Sequence, residues 1–525
     1  MNRLCLALTL CAAVFAAACG GSGSTPTPPP PTGSFSSSSL NGQYAFAMSG
    51  ADGATGSFFA RIGSFTADGK GNITAGIEDV NTALNGQQTL AFTASTYTVQ
   101  ADGRGVINLA NATGALSFSI TMLSPSKGLI VETDLNATAS GTFLLQSSNS
   151  FNVAGISGNY VFDFTGLDPA GSPDSIVGQF VSTGSGSLSS GLLDENDNAV
   201  ASGAAPFSGG SYQLDATNGP TSGRGSVTFT AHGFTFNYIF YIVDGSRLRM
   251  METGTAGSVG LTVGDAVSQS SVPATNANFN GNFVYLSSGV GSRSQLTRIG
   301  RFTADGNGGL GSIFADTNDG GTTAQVPNGS LSATTYAIDT NFPGSGRGTL
   351  TFTDSKRGIF SYIIYLNSSS GGVIQDVSKN TVGDGSIQLQ TGAPFSNSTL
   401  AGNYGVNFSG IGNNSTNGVL GEEDYVGQIA LPSAASNNVS GAVDFSAFSS
   451  NQGVFTNVVV SGNGLTVGGD GTTSTGTRNS LSLKLAGNPS TTLNFAAYIV
   501  NSQTIYVAGT DSSRVISGTV NLQAP

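Results

Sequence analysis

One short motif occurs four times along the chain and constrains its fold more than any other feature. In each copy a glycine stands two residues after an apolar residue and two residues before an aromatic one, and the copies begin at Leu40, Ile156, Phe279 and Leu400. The interval between copies is about 120 residues, a regularity typical of duplicated domains. We therefore predict four tandem units, at 40–147, 155–270, 278–391 and 399–525, which are separated by short polar segments.

Two further landmarks recur within the units. A Gly-Arg-Gly turn occurs in three units and a degenerate copy in the fourth, which places arginines at Arg104, Arg224, Arg347 and Arg478. Each unit closes on a glutamine, at Gln146, Gln269, Gln390 and Gln523. The arginines could bind backbone carbonyls at one end of a unit or could bind an anionic ligand. Their position in turns favours the structural role.

The apolar residues within each unit have a period of two. Tyr44, Phe46 and Met48 alternate with smaller residues in the first unit, and this pattern predicts β-strands. Asp-Gly turns at 67–71 and 304–308 predict hairpins between successive strands. We expect about eight short strands per unit, which suits a small antiparallel barrel without exposed sheet edges.

The predicted fold is therefore all-β, with four tandem antiparallel β-barrels. The opening motif and the successive hairpins resemble calycin or lipocalin-like barrels, although Tyr or Phe replaces the tryptophan usual in that family. An immunoglobulin-like β-sandwich of similar size is the alternative fold.

The N-terminus has the layout of an export signal. Arg3 precedes an apolar run from Leu4 to Ala18, and small residues lead into Cys19. The run is shorter than the ~20 apolar residues that a membrane-spanning helix needs. Residues 1–18 resemble a bacterial lipoprotein signal peptide, and this resemblance implies that Cys19 becomes the acylated first residue of the mature chain. Residues 19–39 are rich in Gly, Ser and Pro, which predicts a tether.

Composition argues against several classes of function. The chain has 18 basic and 30 acidic residues, so it is a poor partner for nucleic acid. It has one histidine, His232, which nearly excludes histidine-based metal sites and catalytic triads. Its 3 cysteines precede residue 20, so the mature chain could form no internal disulfide and must depend on apolar burial.

Acidic residues recur at similar places in three units and are weak candidates for Ca²⁺ ligands. These candidates are Asp79, Asn81, Asp194, Asp197, Asp316 and Asp319. Carboxylate and amide oxygens suit Ca²⁺, but Asp and Asn are also ordinary loop residues, and we favour the loop interpretation.

Glu132 and Glu252 fall on matching late strands, and Gln375 stands at that place in the third unit. We expect these side chains to face solvent or to accept a hydrogen bond. No catalytic residue or cofactor is predicted.

Over nearly its full length the sequence resembles the repetitive, Gly/Ser/Thr-rich surface lipoproteins of environmental bacteria, particularly acidobacteria. The resemblance depends on the Gly-x-aromatic openings and on runs such as 63–73, and it implies a location in the cell envelope, at the outer membrane or cell surface. Those proteins are mostly of unassigned function, so the resemblance adds no chemistry.

Three functions remain open. The first is a lipid-anchored, monomeric and non-catalytic array of β-domains with a binding, adhesive or structural role. Its partner would be a surface glycan or a surface protein. The second is a carrier of small apolar ligands in barrel cavities. The third is a glycan hydrolase that uses carboxylates such as Asp79, Asp194 or Glu132.

The anchor is testable by one substitution. Protein purified in mild detergent from its own membranes is expected to carry acyl mass on Cys19 in intact mass spectrometry. A Cys19→Ala form should lack that mass and leave the membrane fraction. If the two forms show the same unmodified mass and the same fractionation, there is no lipid anchor at this residue.

Overall fold

The computed structural model describes residues 34–525 except 54, 255–259, 271–274, 327–330, 355–357, 414–419, 434–437, 449–452, 469–477 and 488–489. The predicted signal peptide, Cys19 and most of the predicted tether lie outside the described residues. No helix in the described part of the chain is long and apolar enough to cross a membrane.

The described chain folds almost entirely into β-strands. Barrel 1 contains β1 (Asn41–Asp52), β2 (Phe58–Asp68), β3 (Asn72–Thr82), β4 (Gly86–Ala91), β5 (Ser95–Val99), β6 (Arg104–Asn111), β7 (Gly114–Ser124), β8 (Lys127–Glu132) and β9 (Ala137–Leu145). Barrel 2 contains β10 (Ser157–Leu167), β11 (Pro173–Thr183), β12 (Leu188–Asp197), β13 (Val200–Pro206), β14 (Gly209–Leu214), β15 (Arg224–Ala231), β16 (Phe234–Asp244), β17 (Arg247–Glu252) and β18 (Leu261–Ser268).

The second half of the chain repeats this order. Barrel 3 contains β19 (Asn280–Val290), β20 (Gln295–Asp305), β21 (Leu310–Asp319), β22 (Thr322–Val326), β23 (Leu331–Ile338), β24 (Arg347–Asp354), β25 (Gly358–Ser368), β26 (Gly371–Asp376) and β27 (Val382–Leu389). Barrel 4 contains β28 (Gly402–Asn413), β29 (Leu420–Leu431), β30 (Ser440–Ala447), β31 (Gly453–Thr466), β32 (Asn479–Leu485), β33 (Thr491–Asn501), β34 (Thr504–Gly509) and β35 (Arg514–Leu522).

Helical structure in the described residues is confined to single turns. One α-helical turn, α1, spans Gly219–Ser222, and short 3-10 helices span Ser37–Ser39, Ser148–Ser150, Val153–Gly155 and Asn276–Asn278.

Each barrel is an antiparallel meander whose first and last strands pair. In barrel 1, β1 pairs with both β2 and β9, and β3 pairs with β5 to close the sheet. Barrels 2 and 3 close through single bridges, Ser187 to Ser211 and Gly309 to Thr335, and barrel 4 is a continuous eight-stranded ring. The predicted all-β barrel fold is confirmed. The sandwich alternative is wrong, because each set of strands closes on itself.

Aromatic and aliphatic side chains fill the barrel interiors. A repeated contact lies between the first two strands, where a glycine of the second strand receives an aromatic ring of the first. A Cβ atom at Gly63 would lie 2.6 Å from Phe46, and one at Gly178 would lie 2.4 Å from Phe162. Only glycine allows this approach, so these positions fix how the rings pack.

The predicted tether is too long at its C-terminal end. Phe35, which we expected in the tether, is buried in the core of barrel 1, and its backbone N–H donates to the carbonyl of Ala101. The Tyr97 hydroxyl donates to the carbonyls of Ser37 and Leu40. The chain is therefore fixed to barrel 1 from Phe35 onward.

The four barrels form a closed ring. The first three strands of each barrel pack against the last three strands of the next, as β1 and β2 do against β16 and β17. The first three strands of barrel 4, β28 to β30, pack in the same way against β7, β8 and β9 of barrel 1. A head-to-tail interface that returns to its start gives a closed ring, here within one chain.

All four barrels point the same way around the ring. We call the end at which the first strand begins the base and the end at which it finishes the mouth. At the base, Gln146 donates to the carbonyl of Ile242 in barrel 2. At the mouth, Asn81 donates to the carbonyl of Glu252 in barrel 2. Equivalent contacts join barrel 2 to barrel 3 and barrel 3 to barrel 4. One face of the ring therefore carries four mouths, and the other carries four bases.

Candidate functional sites

The recurrent acidic residues and the recurrent arginines meet at the junctions between barrels. Asp79 lies on β3 of barrel 1 with its outward-facing side chain completely buried. It accepts hydrogen bonds from Nε and Nη2 of Arg224 at 2.8 and 2.9 Å, and from the Tyr241 hydroxyl at 2.7 Å. Both partners belong to barrel 2, so one carboxylate joins two barrels.

The next two junctions repeat this arrangement. Asp194 accepts from Arg347 at 2.7 Å and from the Tyr365 hydroxyl at 2.6 Å. Asp316 accepts from Nε of Arg478 at 2.8 and 2.9 Å and from the Tyr498 hydroxyl at 2.7 Å. We call each set of three residues a junction triad.

The junction that closes the ring differs in detail. Asp444 of barrel 4 accepts from the backbone N–H of Asn457 at 2.5 Å, and the Asn457 side chain accepts from Arg104 of barrel 1 at 2.8 Å. Thr121 occupies the place of the triad tyrosine, opposite Arg104 in the sheet. Gly405 leaves room for Leu123, since a Cβ atom there would lie 2.4 Å from that side chain. At this junction the buried carboxylate of Asp424 in barrel 4 also accepts hydrogen bonds from the hydroxyls of Thr138 and Ser140 in barrel 1, at 3.0 and 2.6 Å.

The closing glutamines fix the base side of every junction. Gln523 donates to the carbonyls of Asp102 and Met122 in barrel 1, at 2.9 and 2.8 Å. Gln269 does the same to the carbonyls of Ser345 and Leu366 in barrel 3. In the sequence these glutamines mark only the ends of the units. Their equal place in each unit was the available signal for a shared contact.

Burial and charge both act on the triads. Burial alone would lower the pKa of Arg224, but the hydrogen bonds and the charge of Asp79 raise it. Burial and then the charge of Asp79 raise the pKa of Tyr241 far above its ordinary value. The arginine therefore stays charged and the tyrosine stays a donor at neutral pH.

The structure places several of the predicted site residues differently from the sequence-based expectations. The loop interpretation is wrong for all six weak Ca²⁺ candidates, since each lies within a strand, namely Asp79, Asn81, Asp194, Asp197, Asp316 and Asp319. The structural role of the arginines agrees with the geometry. Arg224, Arg347 and Arg478 each pair with a carboxylate of the preceding barrel, whereas Arg104 pairs with Asp102 of its own barrel.

The other weak Ca²⁺ candidates lie apart from these carboxylates. Asn81 faces barrel 2, Asp319 pairs with Arg293 at 3.3 Å, and Asp197 lies at the mouth of barrel 2. Among the described residues, no group of 3 or more His, Cys, Asp or Glu side chains is placed to hold a metal ion.

A second type of polar cluster lies inside the barrel mouths. In barrel 1, Arg61 pairs with Glu78 at 2.6 Å and with Glu132 at 3.5 Å. In barrel 3 the equivalent Arg298 pairs with Asp376. In barrel 4, Arg514 pairs with Glu423 at 2.9 Å. Each of these mouths contains its own guanidinium group.

The late-strand glutamates belong to these mouths. Phe118 is paired in register with Glu132, Tyr238 with Glu252, and Tyr362 with Asp376. Asp376, and not Gln375, therefore holds the equivalent place in barrel 3. Glu132 is completely buried and does not face solvent. It accepts a hydrogen bond from Arg61, and Glu252 accepts one from Thr262, in agreement with the hydrogen-bond alternative.

The mouth of barrel 2 differs from the others. Asp174, Glu195, Asp197 and Glu252 alternate along their strands with outward residues and so point into the mouth. Ile176 stands in register where barrels 1 and 3 have Arg61 and Arg298. Burial, followed by the charges of Glu195, Asp197 and Glu252, raises the pKa of Asp174 to about 8.

The mouth face also carries most of the exposed large apolar side chains. Six of those in the described residues lie at mouth turns or strand ends, namely Leu84, Leu135, Val200, Phe234, Val290 and Ile359. Leu145, which is 38% exposed, lies at the base. His232 lies on the turn before Phe234, with a φ of 51°.

Two cavities open at the ring surface. One of about 550 Å³ lies at the mouth of barrel 3, lined by Arg293, Arg298, Phe360 and Lys379 among others. Another of about 370 Å³ lies between barrels 2 and 3, lined by Asp163, Arg247, Asp265 and the segment 370–373 among others.

Comparison with known proteins gives little. No protein-family model matches the sequence, and no curated protein matches it. Among solved structures, a Trp-176-Ala mutant of transferrin binding protein B from Haemophilus parasuis matches at 9% identity and a TM-score of 0.20, covering 78% of this chain and 86% of that one. The intact Ap-TbpB structure matches at 9% identity and a TM-score of 0.17, covering 76% and 83%. TM-scores this low carry no argument about function.

The junction triads predict a large cost for a single truncation. Arg347→Ala leaves the buried carboxylate of Asp194 without its charged partner, which is expected to destabilise the ring by about 3–5 kcal/mol. Arg293→Ala removes the partly exposed pair with Asp319 and should cost less than about 1 kcal/mol. Urea unfolding at pH 7 measures both. Equal costs would mean that the triad is no stronger than a surface pair.

The mouth of barrel 2 predicts a dependence of stability on pH. The folded chain holds a proton on Asp174 up to about pH 8, whereas an unfolded chain releases it near the ordinary value of 3.8. The stability that this proton provides is complete below about pH 4 and is lost as the pH rises through about 8. Asp174→Asn should therefore raise the melting temperature at pH 9 relative to the wild type, with a smaller gain at pH 5. A gain independent of pH would contradict this assignment.

Proposed function

We propose that this chain is a lipid-anchored protein of the cell envelope whose ring of four barrels is a rigid, non-catalytic platform for a protein partner. One observation carries the proposal. The exposed large apolar side chains gather on the mouth face, whereas Phe35 joins the ring at the base. A chain tethered through Cys19 would therefore turn its bases toward the membrane and its mouths away from it.

The composition of the mouth face favours a protein partner over a glycan. Phe234 is 67% exposed, Ile359 59% and Val200 72%. Exposed aliphatic side chains that cluster on one face are typical of protein interaction sites. The described mouth face offers Phe234 as its exposed large aromatic side chain, and sugars would be expected to stack on several such rings.

The geometry gives the other two functions less support. Asp79, Asp194 and Glu132, the candidate hydrolase carboxylates, are completely buried and bonded to arginine. A substrate would have to separate two barrels to reach either aspartate. The barrel interiors are packed with side chains such as Phe65, Phe180 and Phe302, which is unfavourable for a carrier of apolar ligands.

Ring closure also supports a platform. A rigid surface loses little conformational freedom on binding, so more of the contact energy appears as affinity. Four mouths on one face would also allow several weak contacts to act together on a repetitive or extended partner.

Serine substitutions on the two faces test this proposal. A variant carrying Val200→Ser, Phe234→Ser and Ile359→Ser should lose at least about tenfold in the binding of purified soluble ring to the cell surfaces or matrix of its own culture. The matched control, Leu145→Ser at the base, should bind as the wild type does. Each variant should keep the wild-type melting temperature, because these side chains are exposed.

Two results would contradict the proposal. Equal binding of the triple variant and the wild type would exclude the mouth face as the contact surface. Loss of binding after removal of surface glycans, with no loss after protease treatment of the target, would show a glycan partner instead of a protein.

A further inference from the structure

The mouth of barrel 2 differs from the other three mouths in its charged side chains. In barrels 1 and 3, an arginine of the second strand, Arg61 or Arg298, neutralises a carboxylate of the second-last strand. In barrel 4, the carboxylate moves to Glu423 on the second strand, and Arg514 of the last strand neutralises it. The guanidinium group in the mouth thus comes from the second strand in barrels 1 and 3 and from the last strand in barrel 4.

Barrel 2 has a carboxylate at each of the two carboxylate positions, on the second strand and on the second-last strand. It has no arginine at either of the two arginine positions. Asp174 stands in register with Glu423, and Glu252 stands in register with Glu132. Ile176 replaces the arginine of the second strand, and Gly260 stands in register with Arg514. Among the described residues, His232 at the rim is the basic group whose charge reaches this cluster, through Glu195.

One carboxylate of this mouth is buried, and one of its oxygens has no hydrogen-bond donor among the described residues. Asp174 is 5% exposed, and its Oδ1 atom accepts no hydrogen bond from the described residues. The Oδ1 atom of Asp197 is likewise buried without such a bond. Unused buried acceptors are costly in a folded protein, and they point to a donor that comes from outside the chain.

We propose that the mouth of barrel 2 binds the guanidinium group of a ligand, in the place that arginine side chains occupy in the other three barrels. A planar guanidinium can donate two parallel hydrogen bonds to one carboxylate and further bonds to a second, which suits Asp174 and Glu252. A metal ion fits less well, because the described carboxylates do not converge into a group of 3 placed to hold one. The proposal requires only barrel 2 and does not depend on the lipid anchor or on the protein partner.

The ligand could be a free small molecule or an arginine side chain of another protein, and two probes separate these sources. Agmatine represents the free compound, and the peptide Gly-Arg-Gly with blocked ends represents the side chain. We expect agmatine to bind the full mature ring with a stoichiometry of one in isothermal titration calorimetry. Peptide binding of similar strength would indicate a protein-borne arginine, and much weaker peptide binding would indicate a free ligand.

The decisive variant places an internal arginine in the mouth. Ile176→Arg copies barrels 1 and 3 and is expected to abolish agmatine binding. Asp174→Asn should weaken binding at least about tenfold, because the guanidinium displaces the proton of Asp174 and pairs with the carboxylate that remains, which an amide cannot provide. Asp305→Asn, which removes one carboxylate from an exposed base turn, is the matched control and should bind as the wild type does.

Three outcomes would overturn the proposal. The first is the absence of saturable agmatine binding to the wild type, which would leave the cluster as carboxyl groups that share protons. The second is unchanged binding in both folded Ile176→Arg and folded Asp174→Asn. The third is saturable binding of Ca²⁺ that excludes agmatine, which would make this mouth a metal site. Near-UV circular dichroism checks the fold of each variant, and Asp174→Asn keeps the test valid if the arginine variant does not fold.

Discussion

A buried carboxylate shared between neighbouring barrels fixes the position of each barrel relative to the next. Three aspartates, Asp79, Asp194 and Asp316, are shielded from water at the interfaces between barrels. There an arginine and a tyrosine of the next barrel donate the hydrogen bonds that water would otherwise provide. A buried ion pair contributes little net stability over a well-packed apolar contact, but the loss of one partner is costly. The triads therefore act chiefly on specificity. They admit one relative position of two barrels, because a shift would leave a charge buried and unpaired.

Repetition of this junction explains the ring. The interface is head-to-tail, so each added barrel offers the same surface to the next, and four barrels return the last surface to the first. At the closing junction Asn457 links Asp444 to Arg104, and Leu123 packs against Gly405. In the described residues, each barrel therefore packs against a neighbouring barrel on both of its junction surfaces. Because the barrels point the same way, the four mouths lie on one face, which also carries most of the exposed large apolar side chains of the described residues.

Much of the fold could be predicted from the sequence, because alternation of apolar residues, Gly-rich turns and repeats are local signals. The barrels follow from Tyr44, Phe46 and their equivalents, and the Asp-Gly turns mark the hairpins. The junctions could not be predicted in this way. Asp79 and Arg224 lie far apart in sequence, and an acid in a strand looks like an acid in a loop when its partner is unknown. The burial of Phe35 was not predicted, because polar residues flank it in the sequence. The place of Asp376 was assigned to Gln375, because the two differ by one register position on the same strand.

Closure of the ring is the central feature to test, because the gathering of the four mouths on one face depends on it. Phe448 of barrel 4 lies against barrel 1, where a Cβ atom on Gly53 would be 2.9 Å from its ring. We would replace Phe448 with the photo-reactive p-benzoylphenylalanine and map the cross-links by mass spectrometry at low protein concentration. A closed ring predicts intramolecular cross-links to the segments 50–53 and 135–136 of barrel 1. Cross-links confined to barrel 4, or formed only between molecules, would contradict a closed ring.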